Sequence, residues 1–241
     1  MSKTTAVALS MKEAMAAEVA ALSTRLQAPS GDKIKISNKQ FKLPNGDTWD
    51  FLDVCIVDYI NKNVYYTGPF DQNSITPPDC FSLSAEYSTM APSPRSPDIQ
   101  SKIGCAGCTQ NQFGSAGKGK ACQNRILIAV LPRDATAETP LSILDISPTA
   151  IKGFSEYVRF VGKVLGKTTY QVMTHVKCNP NVKHDVAVFG EAQPIEDDDF
   201  VALMFSRKAE ARERLMTEPD LSAANDAKPV KGRLQAPKRR A

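Results

Sequence analysis

Residues 105–122 read Cys-Ala-Gly-Cys-Thr-Gln-Asn-Gln-Phe-Gly-Ser-Ala-Gly-Lys-Gly-Lys-Ala-Cys, and one more cysteine, Cys80, lies upstream of them. These four cysteines fall in an insertion, residues 76–124, with a spacer rich in Ser and Pro. Loops longer than about 12–15 residues without structure of their own are uncommon in compact domains, and a bound metal can order such a loop. Four thiolates suffice for one tetrahedral zinc ion. The spacing therefore predicts one Zn²⁺ per chain, with four ligands: Cys80, Cys105, Cys108 and Cys122.

The Cys105-x2-Cys108 pair is the most specific part of this pattern, whereas the outer two cysteines are not spaced as in an ordinary zinc ribbon. An iron-sulfur cluster on the same four residues stays open, as do a redox dithiol and unliganded cysteines. A zinc deaminase is excluded because its C-x-x-C pair requires an upstream H-x-E, which the sequence lacks.

Composition indicates a folded protein, because 42% of the 241 residues are hydrophobic and can form one core with an appended module. There is no apolar run of about 18 residues and no signal-peptide pattern, so we expect a cytoplasmic location. Cysteines are reduced there, which favours metal binding over disulfides. Cys55 and Cys178 lie in apolar strand patterns and are predicted to be core residues.

The net charge of +4 is unevenly distributed. Residues 220–241 carry six Lys or Arg against two Asp, and residues 92–125 carry five against one. The insertion is therefore a basic lobe, which suits a polyanionic partner. The low-periodicity segment 220–241 is predicted to be a disordered basic tail, and residues 1–30 to be a helical arm with its helix over 11–26.

Alternating polarity predicts a strand over 33–41, a hairpin at Asn45-Gly46, a strand over 49–60, a turn at residues 61–63 and a strand over 64–67. Strands are also predicted over 125–131, 141–146, 168–178 and 182–189. Ser147-Pro148 is a helix-start signal, and the helix it opens is predicted to end at Gly166. A last helix is predicted over 195–216, with acidic residues 197–199 at its positive end.

Aromatic residues and lysines cluster on the first strands, as a binder of single-stranded nucleic acid requires for base stacking and phosphate contacts. The alternative, that Trp49, Phe51 and Tyr59 pack beneath a helix, stays open. The candidate nucleic-acid-binding residues are Lys33, Lys35, Lys39, Trp49, Phe51, Tyr59, Tyr65, Tyr66, Phe113, Lys118, Lys120 and Arg125.

The element order predicts a mainly β (α+β) fold, an elaborated OB-fold-like antiparallel barrel over 31–219 with the four-cysteine zinc insertion. The run from Cys105 to Cys122, followed by a hydrophobic strand ending in Leu131-Pro132, resembles a cysteine motif of tailed-phage and prophage proteins. In plan the chain is similar to phage single-stranded DNA-binding proteins, some of which carry zinc inside the OB domain. The resemblance implies a role in phage DNA replication or recombination in the bacterial cytoplasm, with single-stranded DNA and replication or recombination proteins as partners. Such proteins commonly end in an acidic tail, whereas this chain ends in a basic one.

No enzymatic activity is expected. The chain has two His, and its Gly-rich loop lacks the G-x4-G-K-[ST] pattern of a nucleoside triphosphatase. Asp53, Asp58 and Asp145 form no spaced carboxylate motif of a nuclease. The competing hypothesis is a zinc-containing adaptor that binds a host or phage polymerase or another replication protein.

Overall fold

The computed structural model describes residues 33–68 and 76–221. The predicted N-terminal helix and residues 222–241 of the predicted tail lie outside this range. The chain divides into two compact units, each described separately below. The sheet unit comprises residues 33–59 and 126–215 of the described chain, and the cysteine unit comprises residues 60–68, 76–125 and 216–221.

The described chain is mainly β, with 34% strand against 23% helix, as predicted, and its open, curled sheet is flanked by helices. The strands are β1 (Lys33–Ser37), β2 (Gln40–Lys42), β3 (Thr48–Trp49), β4 (Phe51–Tyr65), β5 (Cys80–Ser84), β6 (Gln123–Pro132), β7 (Ser142–Ile146), β8 (Val172–Cys178) and β9 (Ala187–Pro194). The helices are α1 (Ile151–Lys163), α2 (Asp198–Ser206) and α3 (Lys208–Leu215).

The strand order is β3-β2-β1-β7-β6-β4-β8-β9. Strands β1 and β7 run parallel, with Lys33 opposite Ile143, whereas β6/β7, β4/β8 and β8/β9 are antiparallel pairs. The last residues of β4, from Ile60 onward, belong to the cysteine unit, where the strand pairs with β5.

The core of the sheet unit lies between one face of the sheet and helix α1. Phe154, Tyr157 and Val161 of α1 pack with strand residues that include Leu52 and Val54. Each fully buried side chain of this size contributes about 1.5–3 kcal/mol through removal of apolar surface from water. The hydroxyl groups of Tyr157 and Thr174 share a buried hydrogen bond of 2.6 Å, so the polar ends of these residues are satisfied inside the core.

The single strand predicted over 33–41 is wrong, because the chain reverses at Asn38 and Lys39. Both residues have positive φ (54° and 65°), the combination of a type I′ hairpin turn, and Ser37 pairs with Gln40 across it. Asn adopts this region readily, which is the local reason for the turn.

The turn predicted at residues 61–63 is also wrong, because β4 continues to Tyr65. Asn61, Lys62 and Asn63 pair with Ser84, Leu83 and Ser82 of β5, so a partner strand overrides the local turn tendency of Asn. The strand predicted over 182–189 begins only at Ala187 and extends to Pro194.

Helix α1 is confirmed, whereas the last predicted helix is two helices that meet at Arg207. The Arg207 guanidinium donates to the backbone oxygens of Ala137 (2.9 Å) and Thr139 (3.0 Å), which fixes the break against the 133–140 loop. Asp197 caps α2 by accepting from the Phe200 N–H at 3.0 Å, and acidic residues 198 and 199 follow it, as predicted for the positive end of a helix.

No helix within residues 33–68 and 76–221 has both the length and the apolar character needed to span a membrane.

Candidate nucleic-acid interface and cysteine cavity

Strand β4 shows where the sheet unit leaves a face open to solvent. Leu52 and Val54 point into the core beneath α1, whereas Phe51 and Asp53 alternate with them and are exposed. Farther along the same face, Cys55 is fully buried, and the backbone oxygen of Tyr170 lies 3.4 Å from its sulfur. The second face of the sheet is therefore open at the start of β4 and closed beyond it.

Two aromatic residues flank the bend at Asp50. Trp49 is 45% exposed and Phe51 is 49% exposed. Phe51 lies directly opposite Lys177 of β8, and its ring lies 5.0 Å from the ring of His175 between centroids. An exposed ring beside a cation on a sheet is an arrangement that can stack a base and contact its phosphate. We call Phe51, Asp53, His175 and Lys177 the open face.

Exposed lysines lie on β1 and β2, toward the edge of the sheet that is farther from β8 and β9. Lys35 of β1 lies directly opposite Lys42 of β2, and both are exposed, as is Lys33. Like charges at directly opposed positions destabilise a strand pair. A bound polyanion would relieve that repulsion.

Lys39 is placed differently from Lys33 and Lys35, because it lies in the hairpin turn. Its ammonium group donates to the backbone oxygen of His184 and forms an ion pair with Asp185 at 3.9 Å, and its backbone N–H donates to the same carboxylate at 3.0 Å. Lys39 thus holds the turn in place.

Tyr59 also lies apart from the open face. It is half-buried, and its ring packs edge-on against Phe154 of α1 with centroids 5.1 Å apart. For this residue the packing alternative describes the observed surroundings. We therefore leave Tyr59 out of the proposed surface.

In the cysteine unit, Phe113 is the most exposed of the candidate aromatics, at 81%. The Lys120 ammonium lies 5.1 Å from its ring centroid, and Lys118 is exposed nearby in sequence. Tyr66 is exposed, whereas Tyr65 and Arg125 are half-buried. This unit thus carries its own exposed aromatic ring beside cations.

The four cysteines of the predicted zinc site are buried and line one cavity of about 20 Å³ in the cysteine unit. A volume of roughly 10–15 Å³ or more admits one water-sized sphere, so this cavity has room for a single ion. Across the described ranges, no three or more His, Cys, Asp or Glu side chains are grouped so that they could hold a metal ion as they stand.

A chain of polar contacts borders this cavity. The Asn124 amide nitrogen donates to the side-chain oxygens of Asn63 (2.7 Å) and Asn111 (2.9 Å), and the Asn111 amide nitrogen donates to the backbone oxygen of Cys105 (2.8 Å). Lys120 donates to the side-chain oxygens of Asn111 and Asn124. These contacts tie the cysteine loop to β4 and to the start of β6 within the cysteine unit.

Asn63 is the exception in this polar chain. Its amide nitrogen is buried without a hydrogen-bond partner, the only such side-chain nitrogen or oxygen in the described part of the protein. An unsatisfied buried donor costs about 1–3 kcal/mol, so it calls for an explanation. Asn63 lines the cysteine cavity, where a thiolate would accept its N–H.

The protonation of the thiols follows from their burial. Burial raises the pKa of Cys122 to about 12, with the neighbouring cysteines raising it further and Lys120 lowering it. Burial also raises the pKa of Cys105, against the nearby polar side chains of Ser82 and Asn63, which lower it. Without a metal the thiols of Cys105 and Cys122 are therefore neutral near pH 7. Cys55 and Cys178 are buried in the sheet unit, as predicted.

Sequence reasoning missed several residues of the open face. The His175 Nδ1 atom lies 2.8 Å from the Asp53 carboxylate, although the two residues are 122 positions apart. No motif in the sequence singles out His175 or Lys177. Only the strand register places these residues together, and no local sequence signal reports that register.

Comparisons with protein-family models, with curated proteins and with solved structures gave no match to this chain.

Proposed function

We propose that the protein binds single-stranded DNA in a sequence-tolerant, non-enzymatic way. The observation that carries the proposal is the pair of half-exposed aromatic residues, Trp49 and Phe51, with Lys177 directly opposite Phe51. Stacking of a base on an aromatic side chain is worth about 1–3 kcal/mol, and it tolerates all four bases.

The lysines supply the attraction for phosphates. Lys33, Lys35, Lys42 and Lys177 are exposed on strands of the sheet unit. If these four contact phosphates, the slope of log K against log salt concentration is about −3, at roughly 0.7 per phosphate on a single strand. We propose that this activity serves phage DNA replication or recombination, as the sequence resemblance implies, and that the open, curled sheet is an elaborated OB-like fold.

The same proposal includes one structural zinc ion, held by Cys80, Cys105, Cys108 and Cys122. Four observations support the donor set: the thiols are buried, share one cavity, are the type of ligand that zinc prefers, and face the unpartnered Asn63 amide. When bound, zinc would supply a crosslink between the cysteine loop and β5. Metal analysis of the purified protein is expected to give one zinc per chain and a loss of zinc in Cys105→Ser.

The decisive experiment is a fluorescence titration with a mixed-sequence single strand and a duplex of equal length. Trp49 is the only tryptophan of the chain, so stacking on it is expected to quench the signal. Phe51→Ala is expected to weaken single-strand binding about tenfold. Phe160→Ala removes an exposed ring from α1, on the opposite side of the sheet, and is expected to leave binding unchanged.

The competing adaptor hypothesis predicts that neither the single strand nor the duplex binds at low salt. That outcome would show that the proposed function is wrong. If the duplex binds as tightly as the single strand and Phe51→Ala has no effect, the lysines alone attract nucleic acid. In that case Phe51 does not stack on bases, and the proposed preference for single strands is wrong.

A further inference from the structure

A polar pocket lies beside the open face of the sheet unit, at an irregularity between β8 and β9. Its volume is about 140 Å³, and it is lined by Asp53, Arg133, Met173, His175, Glu191 and Gln193. We call it the bulge pocket. Neither the zinc site nor base stacking on Phe51 explains it.

The backbone of β9 is irregular at this pocket. Met173 pairs with Gln193 and His175 pairs with Gly190, so two steps along β8 match three along β9. The extra residue forms a β-bulge, and within it Glu191 has a φ of +47°. Bulges re-aim side chains and are over-represented beside functional sites, and a non-glycine residue with positive φ is uncommon. The irregularity brings Glu191 and Gln193 to the pocket together.

The pocket wall is rich in hydrogen-bond acceptors. The Asp53 carboxylate lies 2.8 Å from Nδ1 of His175, and the Arg133 guanidinium donates to the Gln193 side-chain oxygen at 3.2 Å. Glu191 adds a second carboxylate, and buried Met173 adds an apolar contact. Ionised carboxylates only accept hydrogen bonds, so two of them favour a ligand that carries N–H donors.

The volume suits a single small ring. A cavity of roughly 150 Å³ holds a benzene molecule, so about 140 Å³ suits a pyrimidine base. Carboxylates pair with the exocyclic amino group of cytosine, whereas thymine carries a carbonyl oxygen at that position. The Phe51 ring packs on His175, so a strand stacked on Phe51 has the bulge pocket next to it.

We propose that the bulge pocket binds one base of the bound strand and selects cytosine over thymine, with Asp53 and Glu191 accepting from the amino group. This inference rests on the proposed function and adds a local base preference to it. Arg133 closes the pocket on the side where its guanidinium contacts Gln193.

The test compares the affinities of oligo-dC and oligo-dT of equal length at one salt concentration and pH 8. We expect about tenfold tighter binding of oligo-dC, the size of one base-selective contact. Asp53→Asn and Glu191→Gln are each expected to weaken oligo-dC and leave oligo-dT nearly unchanged, so the ratio falls toward one. Asp134→Asn removes the same charge from an exposed residue that does not line the pocket, and is expected to keep the ratio.

A second measurement locates the contact. In the full-length protein, dCMP is expected to shift the NMR resonances of the His175 imidazole, and dTMP is not. The chain has only two His, so His184→Gln assigns the signal. Equal affinity for oligo-dC and oligo-dT, or a preference that survives both substitutions, overturns this inference alone. If neither oligonucleotide binds, the proposed function fails and the inference fails with it.

Discussion

The two units differ in the types of residue that are buried in their interiors. In the sheet unit, aliphatic and aromatic residues of the strands pack against α1 in one continuous cluster. In the described part of the cysteine unit, the buried hydrophobic residues other than cysteine are Ile60, Val64, Phe81 and Met90, beside buried polar residues Asn63, Ser82, Ser93, Ser96 and Asn111. Units below roughly 70–80 residues with so small a core usually need a metal or disulfides. This difference is a physical reason to propose a metal on the four buried thiols of the cysteine unit and none on the two buried thiols of the sheet unit.

Removal of the proposed metal is expected to have the largest effect and to distinguish the two units most clearly. Chelation, or Cys105→Ser, is expected to lower the stability of the cysteine unit by at least about 4 kcal/mol, because metal binding to such sites is coupled to folding. The core strands of the sheet unit should keep their amide protection. Hydrogen exchange read by mass spectrometry measures both units in one experiment.

The matched control is Cys178→Ser, which changes a buried thiol of the sheet unit and is expected to leave zinc content unchanged. Identical amide exchange before and after chelation would show that the cysteine unit needs no metal.

A second change acts on the sheet unit alone. Asp58 is buried, and Arg212 of α3 donates to it with two hydrogen bonds of 2.6 and 2.9 Å. Arg212→Ala leaves a buried carboxylate without this partner and is expected to cost about 3 kcal/mol in the free energy of unfolding. Urea denaturation measures the loss, and zinc content should not change.

Asp58→Asn is the companion variant. It leaves Arg212, whose side chain is 42% exposed, able to contact water, so its cost is expected to be smaller. Equal costs for the two variants would mean that leaving the buried Asp58 carboxylate unpaired carries no additional penalty.

The smallest effect concerns the unpartnered amide of Asn63. Asn63→Ala is expected to weaken zinc binding about tenfold, because groups that hydrogen-bond to metal ligands are worth 10–100-fold in affinity. Asn61→Ala, two positions away on β4, is the control, since Asn61 contacts the backbone oxygen of Ser84 at 3.4 Å and does not line the cavity. Competition with a chromogenic chelator gives both affinities. Equal zinc affinity of the two variants would leave the buried amide unexplained.

Local patterns predicted the elements that local physics decides. The stripe on α1 and the acidic cap at Asp197 are examples, because helical periodicity and capping act within a few residues. Predictions were wrong where residues distant in sequence determine the local structure. Pairing with β5 keeps Asn61–Asn63 in strand β4, and contacts with the 133–140 loop fix the helix break at Arg207.

The candidate site divides in the same way. The four cysteines can be recognised as a motif in the sequence, because a thiol is itself a metal-binding group. The bulge pocket joins Asp53, Arg133, His175 and Glu191 from four strands or strand ends, so it is invisible until the register is known.

The parallel pairing of β1 with β7 has a consequence for biosynthesis. Lys33 pairs with Ile143, so the first strand of the described chain has no partner on one edge until more than a hundred further residues have been translated. Contacts of such sequence separation raise contact order and slow folding. The β1–β2 hairpin is therefore expected to have an unpaired edge on the nascent chain until β7 has been synthesised and can pair with β1.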